Sequence, residues 1–218
     1  MFEILLYFAY ILSIVPVIML KSRKNNTGET FVIKPFAWLL VIAAFYEFFV
    51  TGILSIPKSV WFRIYGLLEF TCVFYLLFFL LKKKYKAYFY VFGGIYLIMF
   101  VLLSCGLFSI SSLTADAYLL LVATLFVFSG AILWFKNLLT SLTVPSLTGH
   151  PVFYFISGFI IYFSGSVFLF LTADLILKND QLALSKFWNL SIVLNIILRL
   201  LLIIGIWKGQ QKSVQYSG

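Results

Sequence analysis

Three ionisable residues, Glu47, Glu69 and Arg199, lie inside long apolar runs of the sequence. An ionised side chain at the centre of a membrane-spanning helix costs about 2.5–3.5 kcal/mol, so such residues usually mark a functional site. An arginine between two carboxylates would neutralise most of the charge, and its several N–H groups would suit the carboxylate oxygens. We therefore expect the three side chains to meet near the centre of the bilayer.

Polar residues at helical spacing extend this cluster. Ser191, Asn195 and Arg199 follow one another at intervals of four residues, which places them on one face of a helix. Tyr65 lies one helical turn before Glu69. These faces predict a shared polar cavity whose candidate ligand-binding residues are Glu47, Tyr65, Glu69, Asp174, Ser191, Asn195 and Arg199.

The expected cavity has a floor and a mouth. We expect Tyr65 and Asp174 to lie nearer the mouth, and the predicted floor consists of Glu47, Glu69, Asn195 and Arg199. Two other interpretations of the cluster stay open. It could fix only the packing of the helices, through hydrogen bonds worth about 0.6–2 kcal/mol each. It could also form a pathway for protons or ions.

The composition requires lipid as the solvent. The chain has 218 residues, of which 63% are hydrophobic and 11% are charged, whereas a soluble domain carries about 25% charged residues. The net charge of +9 lies at the ends of apolar runs, where lysine and arginine contact anionic lipid headgroups. This placement indicates contact with membrane lipids and not with nucleic acid.

Seven apolar runs approach the roughly 20 residues that a membrane-spanning helix needs. We predict an all-α, seven-transmembrane-helix bundle that forms a single domain over residues 1–218, with the N-terminal segment retained in the membrane. The predicted spans, numbered helix 1 to helix 7, are 2–20, 36–54, 61–81, 87–108, 117–135, 152–177 and 187–207.

The basic residues predict the orientation of the bundle. Eleven of them fall on one side, namely Lys21, Arg23, Lys24, Lys34, Lys82, Lys83, Lys84, Lys86, Lys136, Lys208 and Lys212. Four fall on the opposite side, namely Lys58, Arg63, Lys178 and Lys186. Because lysine and arginine accumulate in cytoplasmic loops, we expect the N-terminus outside the cytoplasmic (inner) membrane and the C-terminus in the cytoplasm.

Small residues in helix 6 predict a close contact between helices. Ser157 and Ser164 are seven residues apart, and Gly158 and Gly165 repeat this spacing. Small side chains at such positions let two helices approach closely. We expect Ser129 and Gly130 of helix 5 to join the same contact. Helices 4 and 5 are otherwise almost wholly apolar, which predicts that they serve for packing and lipid contact.

The residue types needed for familiar membrane enzymes are missing from the sequence. The chain has one histidine, His150, in a predicted loop, whereas catalytic metal sites need several such ligands. Helix 7 carries Arg199 where a retinal Schiff base would require a lysine, and the first lysine after it is Lys208. We therefore expect a protein that is not an enzyme and that holds no metal or cofactor.

Three stretches resemble a group of uncharacterised multi-helix inner-membrane proteins of Bacteroidetes-type bacteria. They are Trp-Phe-Arg-Ile-Tyr-Gly-Leu-Leu-Glu-Phe at 61–70, Ile-Ile-Tyr-Phe-Ser-Gly-Ser-Val-Phe-Leu-Phe-Leu at 160–171, and Phe-Trp-Asn-Leu-Ser-Ile-Val-Leu-Asn-Ile-Ile at 187–197. Genes of this group often lie beside sensor histidine kinases, so the resemblance implies a sensory or accessory role. It implies no catalytic residue, because none is established for the group.

Together these features predict a membrane sensor or regulatory protein. A ligand bound in the outward-facing cavity would shift the packing of the helices, and a membrane partner such as a sensor kinase would respond at the basic cytoplasmic loops. Two other functions stay open. One is a small-molecule or proton-coupled transporter, and the other is a structural subunit of a larger membrane complex.

Overall fold

The structure, a computed structural model, describes residues 2–22, 31–47, 58–81, 84–105, 112–141, 147–179 and 181–215. Within these ranges, the side chains that are not described belong to residues 2–3, 58–60, 112–113, 141, 174–179, 181–188 and 212–215. The described residues form seven α-helices and a short 3₁₀ helix. The α-helices are α1 (Phe2–Ser22), α2 (Lys34–Phe45), α3 (Lys58–Leu81), α4 (Lys86–Ser104), α5 (Ser112–Ser141), α6 (Pro151–Asn179) and α7 (Gln181–Gln215).

Six of these helices, α1 and α3 to α7, are long and apolar enough to cross a membrane. The prediction of a multi-pass, helical membrane protein is thereby confirmed. The helix α2 is a shorter apolar helix of 12 residues. Its helical turns continue through Tyr46 and Glu47, and the rest of the predicted span to residue 54 lies outside the described residues.

Several helices extend beyond the apolar runs that predicted them. The helix α5 begins at Ser112, before the predicted start at residue 117, and therefore includes Asp116. The helix α7 runs from Gln181 to Gln215 and exceeds its predicted span at both ends. Hydropathy marks the part of a helix that lipid surrounds, whereas the backbone hydrogen bonds continue into the polar flanks.

The helices alternate in direction. Tyr10, near the start of α1, reaches Glu47 beyond the end of α2, while Met19 and Gln210 join the later parts of α1 and α7. The helices α1, α3, α5 and α7 therefore begin at one end of the bundle, which we call the N-terminal end.

Six helices form a closed ring, in which the contacts run α1–α2–α3–α5–α6–α7 and return to α1. The helix α4 packs outside this ring against α3 and α5, and 17% of its apolar span is buried. Half of the span of α5 is buried. Helices 4 and 5 were expected to serve for packing and lipid contact, and α5 does pack closely between α3 and α6. The expectation missed that α5 closes the ring and also lines its interior.

Large apolar side chains fill the half of the ring away from the N-terminal end. Phe36 of α2 and Phe159 of α6 are fully buried there, and their rings meet edge to face with centroids 4.8 Å apart. Phe155, Leu202 and Ile206 belong to the same buried cluster. This half of the bundle is therefore a packed core.

Glycines allow α6 and α7 to approach closely. A Cβ atom on Gly158 would lie 3.1 Å from Leu198 Cδ1, and one on Gly165 would overlap the side chain of Leu194. Ser157 is half-buried, and Ser164 donates a hydrogen bond of 3.1 Å to the carbonyl of Ile161 in its own helix. The most extensive helix–helix contact of the bundle lies here.

The prediction that Ser129 and Gly130 join the α6–α7 contact is wrong. Gly130 faces Leu77 of α3 and Tyr88 of α4, and Ser129 Oγ lies 3.2 Å from the Tyr88 hydroxyl. Both residues therefore serve the contact that holds α4 against the ring. Small residues allow close packing against any neighbouring helix. The sequence therefore did not show which helix Ser129 and Gly130 would contact.

Candidate ligand-binding site

A cavity of about 540 Å³ lies inside the ring of helices, which is within the usual range for small-molecule sites. Its wall residues on α1, α3 and α5 come from the first halves of those helices. Glu69 and Arg199 lie at the middle of α3 and α7. The cavity therefore extends from the N-terminal end to about the middle of the bundle, where the packed core begins.

The cavity contains most of the residues that the sequence singled out. Six of the seven candidates lie on its wall, namely Glu47, Tyr65, Glu69, Ser191, Asn195 and Arg199. The side chain of the seventh, Asp174, lies outside the part of the structure that is described. Sequence reasoning missed six further polar residues of the wall, namely Tyr10, Arg63, Tyr96, Asp116, Tyr162 and Ser166.

Glu69 is held by phenols from two helices. Its carboxyl group, in a residue that is only 4% exposed, accepts a hydrogen bond of 3.3 Å from the Tyr65 hydroxyl on the preceding turn of α3. Tyr162 of α6 also lies beside this carboxyl group, and Ser166 lies beside the Tyr162 hydroxyl. Buried polar groups need such partners, so this network fixes the position of Glu69.

Glu47 was predicted to lie at the floor of the cavity, but it lies at the accessible side. The helix α2 ends at Phe45, so Glu47 lies beyond it towards the N-terminal end of the bundle, and the residue is exposed. The Tyr10 hydroxyl of α1 donates a hydrogen bond of 3.1 Å to Glu47 Oε2. This bond joins α1 to the end of α2 on the cavity wall.

Arg199 is the charged residue whose bonding is incomplete. The residue is 6% exposed and lies on the cavity wall. Its Nε atom has no hydrogen-bond partner among the residues that the structure describes. Among the side chains that the structure describes, no carboxylate lies within 4.0 Å of its guanidinium. The three predicted charges thus share one cavity without the expected ion pairs, because Glu69 is already bound by phenols.

Arg63 and Asp116 form an ion pair at the N-terminal end of the cavity. Arg63 Nε lies 3.4 Å from Asp116 Oδ1, and a second guanidinium nitrogen donates to the Leu103 carbonyl at 3.4 Å. The pair connects α3, α4 and α5. Arg63 was counted among the cations of the outer side, at the start of the predicted span 61–81. In the structure it lies more than one turn inside α3, which begins at Lys58.

Asn195 is bonded within its own helix. Its Nδ2 donates a hydrogen bond of 3.0 Å to the carbonyl of Ser191 one turn earlier. Ser191, Asn195 and Arg199 nevertheless lie together on the cavity wall, as their spacing predicts. This face of α7 therefore presents polar atoms along the cavity. Asn195 Nδ2 does not link α7 to another helix, because it bonds within α7.

The arrangement suits binding of a molecule with both polar and apolar parts. Rings of Trp61, Phe62, Phe163 and Phe170 line the same wall as the charged groups, and Trp61 stacks on Tyr46 with centroids 3.6 Å apart. Within the described residues, no three His, Cys, Asp or Glu side chains are grouped as metal ligands. The charged and aromatic residues are therefore the groups available for recognition.

Comparison of the chain with protein-family models, curated proteins and solved structures found no match. The resemblance to the Bacteroidetes-type membrane proteins therefore stays a prediction. The fold and the site define a multi-pass helical membrane protein with a polar cavity inside its helix ring.

Proposed function

We propose that this protein is a seven-span sensor or regulatory protein of the inner membrane that binds a small ligand in the cavity. The observation that carries this proposal is Arg199, a buried guanidinium on the cavity wall whose Nε has no partner in the described part of the chain. A group that served only to fix helix packing would have its hydrogen bonds made within the bundle.

The distribution of loop cations supports an orientation with the N-terminus outside. Since Arg63 belongs to the cavity wall, the charge bias becomes eleven against three. The cavity lies towards the end at which α1 begins, so this orientation directs it to the outside. The proposed ligand therefore comes from outside the cell or from the outer leaflet.

The helix α7 offers a path from the cavity to the cytoplasmic side. Its middle carries Arg199, and it continues to Gln215. Gln210 Nε2 donates a hydrogen bond of 2.8 Å to the Met19 carbonyl, which couples α7 to the end of α1. We propose that ligand binding shifts α7 against α1 and α6, and that a membrane partner such as a sensor kinase responds to this shift.

The packed half of the bundle supports a binding role over a transport pathway. Phe36, Phe155 and Phe159 are each at most 1% exposed, and they fill the ring below the cavity. A transporter opens its site to each side of the membrane in turn, and transport here would require these packed rings to separate. The packing thus favours a cavity with one opening.

The experiment compares two cysteine variants in a background in which Cys72 and Cys105 are replaced by alanine. Ala123 lies on the cavity wall of α5, and Ala131 lies two turns further along the same helix, buried and off the wall. We expect a membrane-impermeant thiol reagent to modify Ala123→Cys from the outside only, and to leave Ala131→Cys unmodified. Modification of Ala123→Cys from the cytoplasmic side alone, or from neither side, would contradict the proposal.

A further inference from the structure

Lys21 and Trp38 join α1 to α2 at the end of the bundle opposite to the N-terminal end. The Nζ atom of Lys21, in the last turn of α1, lies 5.3 Å from the centroid of the Trp38 ring in α2. The other cation–π contacts among the described residues join partners that are at most three positions apart in the sequence. In the described part of the chain, this contact alone brings the cation of one helix onto an aromatic ring of another.

Lys34 adds a second cation to the same surface. It lies four residues before Trp38, so the two side chains share one face of α2. Lys21 and Lys34 are both exposed, and neither forms an ion pair with a carboxylate whose side chain the structure describes. Two exposed ammonium groups therefore lie on adjacent helices at the same end of the bundle.

The rest of the sequence does not cancel this charge. Residues 21–34 contain four basic residues and one acidic residue, Glu29, which gives the segment a net charge of +3. The side chains of residues 23–30 lie outside the described residues, but this charge follows from the sequence alone. By their order in the chain, the other six acidic residues belong to the middle of a helix or to the N-terminal end. The surface therefore favours an anionic partner.

The exposed side chains next to the lysines along both helices are apolar. Ile14 and Ile18 share the face of Lys21 on α1, and Ile42 lies one turn after Trp38 on α2. All three isoleucines are exposed and do not belong to the cavity wall, so they face outwards from the ring. A level of lysine and tryptophan above an apolar strip matches the headgroup and the acyl chains of a phospholipid.

A phospholipid suits this surface better than a second copy of the chain does. A twofold-symmetric contact through this face would bring the same patch of both copies together. Two segments that each carry a net charge of +3 would then repel each other. An anionic headgroup instead supplies the counter-charge, and its acyl chains cover the isoleucines.

We infer that the outer face of α1 and α2 binds one anionic phospholipid. Its phosphate group accepts hydrogen bonds from Lys21 and Lys34 beside Trp38, and an acyl chain follows Ile18 and Ile42. This site lies outside the ring of helices, so it is separate from the cavity and does not depend on the function proposed for it.

The test titrates the full chain in detergent with phosphatidylglycerol or with phosphatidylethanolamine of the same acyl chains, and native mass spectrometry counts the bound molecules. We expect the first phosphatidylglycerol to bind at least about tenfold more tightly, because each lysine near an anionic surface contributes about fivefold in affinity. The double variant Lys21→Gln, Lys34→Gln should lose this preference.

A matched control removes two exposed lysines from the same end of the bundle. Lys84 and Lys86 lie at the start of α4, which packs on the other side of α3 from α2. The double variant Lys84→Gln, Lys86→Gln should therefore keep the preference for phosphatidylglycerol.

Tryptophan fluorescence locates the bound lipid without changing a lysine. Phosphatidylglycerol with brominated acyl chains quenches tryptophans that it contacts. We expect it to quench a larger fraction of the fluorescence of the wild-type protein than of Trp38→Phe, whereas brominated phosphatidylethanolamine at the same concentration should show no such difference.

Loss of the preference in both double variants would overturn the inference, because net charge alone would then explain the binding. Equal affinity of the wild-type protein for the two lipids, or quenching that does not depend on Trp38, would also overturn it. A second copy of the chain bound in place of lipid, and lost in Trp38→Phe, would overturn it and assign this face to an interface between copies.

Discussion

The guanidinium of Arg63 lies 3.4 Å from the carboxylate of Asp116, and this ion pair ties α3 to α5 at the N-terminal end of the bundle. The side chains are 23% and 14% exposed, respectively. Arg63 also donates a hydrogen bond to the Leu103 carbonyl near the end of α4. The pair therefore holds three helices at the opening of the cavity, in contrast to Arg199 deeper in the wall.

Removal of one partner of this pair should destabilise the protein more than removal of both. We expect Asp116→Asn to lower the free energy of unfolding by about 1–3 kcal/mol, because it leaves Arg63 partly buried without its counter-charge. The double variant Arg63→Gln, Asp116→Asn should lose less than the sum of the single variants. Denaturant unfolding in bicelles measures this difference, and simple additivity would show that the pair is not coupled.

Arg199→Met should leave the fold intact and should not weaken it. The substitution removes a buried cation with an unused donor and keeps a long apolar side chain, so we expect unchanged stability or a gain of up to about 2 kcal/mol. If Arg199 served chiefly to fix the helix packing, the same variant would lose stability. A fall of the unfolding free energy in ligand-free protein would therefore support the packing interpretation.

The contact of α6 with α7 should tolerate no added methyl group at Gly205. Its Cβ would overlap the Phe155 ring and lie 3.0 Å from the Pro151 carbonyl oxygen, whereas nothing lies within 4 Å of a Cβ on Gly94. We expect Gly205→Ala to cost about 1–3 kcal/mol. The control Gly94→Ala should gain up to about 1 kcal/mol, because alanine favours a helix. Similar effects at both positions would contradict the close approach of the helices.

The two phenols that bind Glu69 should act together. We expect Tyr65→Phe and Tyr162→Phe each to cost about 1 kcal/mol, because each leaves one phenol hydroxyl beside the carboxyl group. The double variant should cost more than the sum, since Glu69 is then buried with neither phenol. In a Glu69→Leu background the excess should disappear. If the excess persisted there, the phenols would be coupled by some other contact.

The sequence predicted the helices well because lipid imposes a simple rule. Every apolar run that approached the length of a span corresponds to a described helix. The ends were less predictable, as α5 and α7 show, since polar flanks also form helix. The place of each helix was also not predictable, because hydropathy does not distinguish the ring helix α5 from the peripheral helix α4.

The candidate site was predicted from charge and not from geometry. Glu69 and Arg199 stood out because their burial is costly, and Asn195 was found from its spacing. Tyr10, Tyr96 and Tyr162 were missed because 13 tyrosines occur in the chain and most membrane tyrosines lie at the lipid interface. Asp116 was missed because its position before the apolar run suggested a loop, although Leu119 and Leu120, three and four residues later, would share its face on a helix.

The central claim is that Arg199 binds a ligand in the cavity. Native mass spectrometry of the protein purified from the membranes of its own host, compared with Arg199→Met prepared in the same way, tests it most directly. We predict a bound small molecule on the wild-type protein that is lost from Arg199→Met, while both proteins unfold at similar temperatures. Equal occupancy of the two proteins, or no bound molecule on either, would contradict the claim.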